Sequence, residues 1–540
     1  FWGCGTESNP FIIANYDDLK NLSSVVHNAT DDDSYNDNDC YYLQIADIAV
    51  TDNNWGTSSR LAVGSPTNAF KANYDGGHHT VDFGVTTGAN DYPTGVFGVV
   101  SGGAKIRNIV STGSISIGDA KAATGGIVGK VSGNATIYNC KNEASITSTQ
   151  TGYFTAGALG GVCGIVDASG CTITIEKCTN TGAIKCSSYT NKNGGGLPAG
   201  GICGIGSQAS SLSITNCINV GSVQKFYYTG SAYYYGQYAG GILGYIPSSS
   251  CTTAVSNCIN RCSVVSGNIG VGGVVGYATN GTNTLRVTHC KNSARVYSGA
   301  GSGNNAHSGG IVGYCNYHNI DKCYNCGALN ANTGYTIGGI IGYAANSGAN
   351  SGYVTNCMVD VTGASFSGSR YMGGIIANQR GTVANTERIF NCCFFGTMTS
   401  SSEYYITGIV SIGASTPAVG TIVANNCLVN GTIPSSNSGD IYRIYSGSNA
   451  QNTNFCYANN GNGANLTKSK LKFYADGTWT DYADGTAGTN YYSKDDYPTV
   501  GAALRHWVSV NGSSYVEWTD DNVPTLNLSY NDITGYQAGL

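Results

Sequence analysis

The sequence predicts an all-β fold, a right-handed parallel β-helix (solenoid) of about ten coils. Three recurring signatures predict it. The first is a glycine-apolar pentapeptide: "GGIVG" (125–129), "GGVCG" (160–164), "GGICG" (200–204), "GGILG" (240–244), "GGVVG" (272–276), "GGIVG" (309–313), "GGIIG" (338–342) and "GGIIA" (373–377). Degenerate forms bracket the array, "TGVFG" at 94–98 and "TGIVS" at 407–411. The second is an apolar residue followed by Asn-Cys or a near variant, which places Cys140, Cys178, Cys217, Cys258, Cys290, Cys323, Cys357, Cys392, Cys427 and Cys456 at equivalent positions. The third is a short alternating segment after most of these cysteines, as in "ASITS", "GAIKC", "GSVQK" and "ARVYS". Successive ladder cysteines lie roughly 30–40 residues apart, a solenoid period.

Each signature reads as a β segment. Ile and Val alternate within them, and Gly, Ser and Asn turns separate them, so one repeat offers three short strands. Helix is excluded because Gly-Gly pairs and β-branched residues interrupt every apolar run. One repeat cannot bury its own apolar face. Stacking repeats about 4.8 Å apart pairs each strand with its equivalents above and below. Outside the array, Asn15 is placed to cap a short helix with Leu19, Leu22 and Val26 on one face. "PTVGAALRHWVSV" (498–510) reads as a second helix with Val500, Leu504 and Trp507 on one face, followed by a hairpin. The expected organisation is a small α+β N-terminal cap with entry strands (1–119), the repeats (120–460), and a helix-hairpin cap with a tail (461–540).

The repeat series resembles the GLUG-motif repeat proteins, found among secreted and surface proteins of bacteria and some protists. "GTESNPFIIANYDDLKNLSSVV" (5–26) is similar to that family's entry segment, and "YYLQIADIAV" (41–50) and "FKANYDGGHHTV" (70–81) to the strand and turn leading into the first coil. "VEWTDDNVPTLNLS" (516–529) resembles the closing hairpin. The resemblance spans most of the chain and implies the solenoid fold, but the family is defined by architecture and implies no particular activity. The cysteine at nearly every "NC" position departs from a loose match. Disulfides are expected among the off-ladder thiols, Cys4 with Cys40 across the N-terminal cap first, then Cys251 with Cys258 or Cys262.

Composition limits function. Charged residues make up 11% of the 540, against roughly 25% in an ordinary soluble protein. The net charge of -5 comes with scattered Lys and Arg and no basic stripe, which argues against nucleic acid as a partner. No run of about 18 apolar residues is present, so no membrane-spanning helix is expected. The missing initiator Met and leader are read as a processed N-terminus at Phe1, which fits an extracellular or cell-surface protein.

Cys315, His318, Cys323 and Cys326 crowd into one short stretch. A zinc site, a packed thiol ladder and a local disulfide are all compatible with them, and the ladder accounts for Cys323 most economically. The loop "DDDSYNDNDC" (31–40) offers Asp33, Asp37 and Asp39 to calcium, although it lacks the Gly and final Glu of an EF-hand. A solvated loop is the plainer reading, and no metal or cofactor is expected. Polysaccharide cleavage needs paired carboxylates. Between Lys121 and Gly439 the acids are Glu143, Asp167, Glu176, Asp321, Asp360, Glu387 and Glu403, with no two in register on neighbouring strands, so no catalytic residue is assigned and the chain is read as non-enzymatic. His78 and His79 take a turn role.

Tyrosine is abundant, 38 in all, and "KFYYTGSAYYYGQY" (225–238) concentrates Tyr227, Tyr228, Tyr233, Tyr234, Tyr235 and Tyr238 in one loop suited to glycan or protein contact. Asn21, Asn28, Asn134, Asn280, Asn430, Asn465, Asn511 and Asn527 sit in sequons and permit glycosylation. The terminal segments, with Phe1 and Trp2 at one end and Tyr536 and Leu540 at the other, are apolar enough to dock on neighbouring copies. The expected role is a surface-fibre subunit assembled head to tail as a homo-polymer, ahead of a monomeric adhesin holding glycans on Tyr-rich loops, with a polysaccharide-active enzyme third.

Overall fold

The computed structural model describes all residues except 29–34, 52–54, 57–61, 89–91, 118–122, 149–156, 187–196, 208–210, 226–237, 248–250, 280–283, 300–305, 332–335, 346–351, 369, 380–385, 401–404, 412–420, 435–440, 443–451, 460–470, 474–477, 479–491, 493–494 and 539–540. The chain is a parallel β-solenoid of about nine turns, with two helices among the described residues. It forms two compact units. Unit 1 comprises 1–269, 274–278 and 533–540, and unit 2 comprises 270–273 and 279–532.

A coil carries more strands than the three expected. In unit 1 the coil from Ala158 contains Ala158–Gly160, Cys163–Asp167, Thr172–Glu176, Thr179–Asn180 and Ile184–Cys186. The Gly-Gly pair bends the first segment into two strands, and the Asn-Cys corner leaves a two-residue strand behind it. Like residues stack on like: Ile106, Ile137, Ile175, Ile214 and Val255 form one inward row of unit 1. Val287, Ile320, Val354, Ile389 and Ala424 form its counterpart in unit 2.

The ten expected ladder cysteines are all buried. The residue before each is left-handed, from Asn139 (φ 51) through Asn216 (φ 53) to Asn426 (φ 54), and this makes the corner. Asn tolerates that conformation better than most side chains, which explains why it so often precedes the cysteine. Each thiol then donates to the carbonyl two residues back, at 3.3 Å for Cys140, 3.2 Å for Cys217 and 3.1 Å for Cys357. Burial pushes the Cys140, Cys178, Cys217 and Cys323 thiols well above their ordinary range.

A second ladder runs two residues beyond the first. Asn142, Asn180, Asn219 and Asn260 are fully buried in unit 1, as are Asn292 and Asn325 in unit 2. Each amide donates to the next carboxamide oxygen: Asn142 to Asn180 at 2.7 Å, Asn180 to Asn219 at 2.8 Å, Asn219 to Asn260 at 2.9 Å, and Asn292 to Asn325 at 2.8 Å. The ladder also dictates the second glycine of the repeat signature. A Cβ at Gly201 would collide with the Asn219 amide and the Gly241 carbonyl oxygen. In later coils of unit 2 the position turns apolar, to Val359, Phe394 and Val429, all buried.

The two expected helices form. Helix α1 (Tyr16–His27) is capped by Asn15, whose Oδ1 accepts from Asp18 N at 3.0 Å, and it buries Leu19, Leu22 and Val26. Helix α2 (Val500–Asn511) packs Val500, Leu504 and Trp507 with Trp518 and Leu526 against Met358, Cys393, Leu428 and Tyr457 of unit 2.

Candidate ligand-binding cleft

The solvent face of unit 1 carries two rows of outward side chains on the strands that precede the Asn-Cys corner. Register places Tyr41, Asn73, Lys105 and Thr136 in one row, and Leu43, Asp75, Arg107 and Tyr138 in the other. Strand alternation puts both rows on the same face. The N-terminal segment brings Glu7 to this face, and a cleft of about 210 Å³ opens between Glu7, Tyr41, Asp75, Lys105, Arg107 and Tyr138.

Hydrogen bonds fix part of this lining. Asp75 Oδ2 accepts from Arg107 Nε at 2.8 Å, and Asp75 Oδ1 accepts from Gly77 N and Asn108 Nδ2, each at 2.9 Å. Lys177 Nζ donates to the Tyr138 hydroxyl oxygen at 3.0 Å and lies 5.3 Å from that ring's centroid. Among the described residues, Glu7 and Lys105 make no hydrogen bond or ion pair by their side chains. Aromatic surface beside unspent polar groups suits a small polar ligand with an apolar face.

Of the tyrosine-rich loop, Tyr227, Tyr228, Tyr233, Tyr234 and Tyr235 lie outside the described residues. Tyr238 is described. It stacks on Tyr245 and Tyr277 of the same unit, with centroids 4.5 and 4.4 Å apart, so it stiffens successive coils.

The crowded cysteines of unit 2 separate. Cys323 joins the ladder, Cys326 donates weakly to the Asn292 carbonyl at 3.6 Å, and Cys315 faces the interior. His318 turns inward, where Nε2 meets Glu387 Oε1 at 2.9 Å and Nδ1 meets the Asn316 carbonyl at 3.0 Å. Both side chains of that pair are fully buried. The Asn316 carbonyl can only accept, so Nδ1 carries a proton. Burial draws the His318 pKa down, but Glu387 and Cys315 outweigh it and hold the group well above its ordinary value. Sequence reading missed this pair because its members sit 69 residues apart.

Among the described residues, no group of three or more His, Cys, Asp or Glu side chains could hold a metal. Asp33 lies outside the described residues, while Asp37 and Asp39 are exposed. Three of the acids are engaged singly: Asp167 with Lys130 at 2.8 Å, Asp321 with Thr355 and Asn356 at 2.7 Å each, and Asp360 with Thr362 at 2.7 Å. Glu403 lies outside the described residues.

The expected disulfides are corrected. No disulfide joins exposed Cys4 to buried Cys40, and none joins Cys251 to Cys258 or Cys262. Burial pushes the Cys262 thiol up to about 11. The termini dock in cis. The Phe1 ring lies 5.6 Å from Phe11 and 5.5 Å from Tyr42. In unit 1, Tyr536 OH meets His78 Nδ1 at 3.1 Å and Tyr536 N donates to Thr179 Oγ1 at 2.9 Å. Asn139 clamps the Gln537 peptide, accepting from its N–H at 2.7 Å and donating to its carbonyl at 3.0 Å. Trp2 stays 86% exposed, and Leu540 lies outside the described residues. Of the sequons, Asn21, Asn28, Asn134, Asn511 and Asn527 are exposed and Asn430 is half-buried, while Asn280 and Asn465 lie outside the described residues.

No protein-family model matches the chain, and no curated protein matches it. Among solved structures it is similar to that of a putative immunoglobulin A1 protease from Bacteroides ovatus, at 19% identity over 63% of this chain and 86% of that one, with a TM-score of 0.39. That likeness carries no argument about the chemistry of this chain.

Proposed function

We propose that this protein is a non-enzymatic, surface-exposed β-solenoid that holds a saccharide in the Tyr41–Tyr138 cleft of unit 1. The cleft carries the reading: two half-buried tyrosines and unspent Lys105 stand on paired strands with Glu7 reaching over from a turn, an arrangement suited to stacking a sugar ring and bonding its hydroxyls. Of the two carboxylates in the cleft, Asp75 is committed to Arg107, Gly77 and Asn108, which leaves Glu7 alone and supports a binding role over two-carboxylate hydrolysis. A glycan array probed with the intact protein tests this. Binding that falls at least tenfold in both Tyr41→Ala and Tyr138→Ala supports the reading, and an empty array, or binding indifferent to both changes, overturns it. The fibre-subunit reading ranks second. Its joining residues Phe1 and Tyr536 are occupied within the chain, and exposed Trp2 is the described tail residue left open to a neighbour.

A further inference from the structure

The cleft's hydrogen-bonding capacity is lopsided. Both Asp75 oxygens are committed to Arg107 Nε, Gly77 N and Asn108 Nδ2. Arg107 is thereby held by Nε alone, so its two terminal nitrogens stay open, and the side chain is 52% exposed. Lys105 sits two residues earlier on the same strand and face, roughly 7 Å away along the backbone, with its ammonium unspent. The Tyr138 oxygen accepts from Lys177, which leaves its own proton to donate. Glu7 is the one unspent acceptor among the charged groups of the lining. Donors therefore outnumber acceptors, and the two cationic side chains line the same cleft from one strand.

We propose that the cleft selects an anionic saccharide, whose carboxylate or sulfate oxygens lie between Lys105 and Arg107 while a ring hydroxyl donates to Glu7. This rests on the reading of the cleft as a saccharide site and names its ligand class. Arg107 is suited to the role because its Nε contact with Asp75 fixes the guanidinium plane before ligand arrives, and a planar fork matches an oxyanion. The cleft's volume of about 210 Å³ equals about seven water volumes, so one charged ring fits inside and the remainder of a chain continues over the solvent face.

The test is calorimetry of the intact protein with three probes: an oligogalacturonate, a sulfated galactan oligosaccharide, and a neutral galacto-oligosaccharide. The expected result is that at least one anionic probe binds tenfold or more tighter than the neutral one. Its affinity should fall about tenfold in Lys105→Gln and decline with added salt, and both losses should be several-fold larger than for the neutral probe. Lys105 is exposed and makes no bond, so this variant keeps the fold. The two anionic probes separate carboxylate from sulfate as the preferred group. Neutral sugar bound as tightly as both anionic probes, or anionic binding untouched by Lys105→Gln, overturns the anionic assignment and leaves the saccharide reading standing. Silence from all three probes together with an empty glycan array overturns both.

Discussion

His318 and Glu387 reach each other across an intervening coil because Gly352, paired with Glu387 in register, leaves the space between them open. A Cβ at that glycine would lie 2.6 Å from His318 Cε1. No local motif announces such a pair, since its spacing depends on the length of two whole coils. The Cys ladder, by contrast, was legible residue by residue, because Asn fills the left-handed corner before the small buried side chain in six of its ten coils. The Asn ladder two residues on was hidden in an Asn-rich chain, where "CKN", "CTN" and "CIN" read as ordinary turns. A pH dependence follows from His318. Its folded pKa lies above the ordinary 6.5, so its stabilising contribution is complete below about pH 6.5 and is lost as pH rises through the raised value. Thermal denaturation across pH 5–10 should show a fall in melting temperature on the alkaline side. Glu387→Gln should flatten that fall and cost about 3–5 kcal/mol at neutral pH, because it strands a buried charge. A fall of unchanged size in the variant would assign it to other groups.

At the scale of elements, the C-terminal segment of unit 2 docks through its backbone on the same corner asparagines that shape the coils. Asn356 Oδ1 accepts from Val516 N at 2.8 Å, Asn391 Nδ2 donates to the Val516 carbonyl at 2.8 Å, and Trp518 Nε1 donates to Asn391 Oδ1 at 2.7 Å. The sequence exposed the helix and the hairpin as elements, through periodicity and caps. Their docking site escaped it, because a left-handed Asn carries no sign that its amide faces another segment. Trp518 is the keystone of this contact, buried against Leu526 and Trp507 with its indole N–H satisfied. Trp518→Ala should cost about 3–5 kcal/mol and loosen α2 (Val500–Asn511) before the strands. Hydrogen exchange resolved by segment checks this. Unchanged protection over 500–511 would show that α2 holds without the tryptophan.

For the whole molecule, the question is whether the chain closes on itself or joins its neighbours. The solenoid class was legible because its period is written in three signatures, whereas the destination of the tails depends on a competition no sequence displays. In unit 1, residues 536–537 are held by His78, Asn139 and Thr179 of the same chain. A tethered segment meets its site at an effective concentration of order millimolar, so a second copy at micromolar concentration loses that competition. The Tyr536 hydroxyl and the Gln537 backbone are thus spent in cis. Light scattering after size exclusion should therefore give a monomer mass for both the intact chain and a form ending at Asp532. Negative-stain images of the two should show single particles alike. Filaments formed by the intact chain that vanish in the shortened one would establish the tail as a joint between subunits, and would put the fibre reading ahead of the saccharide-binding one.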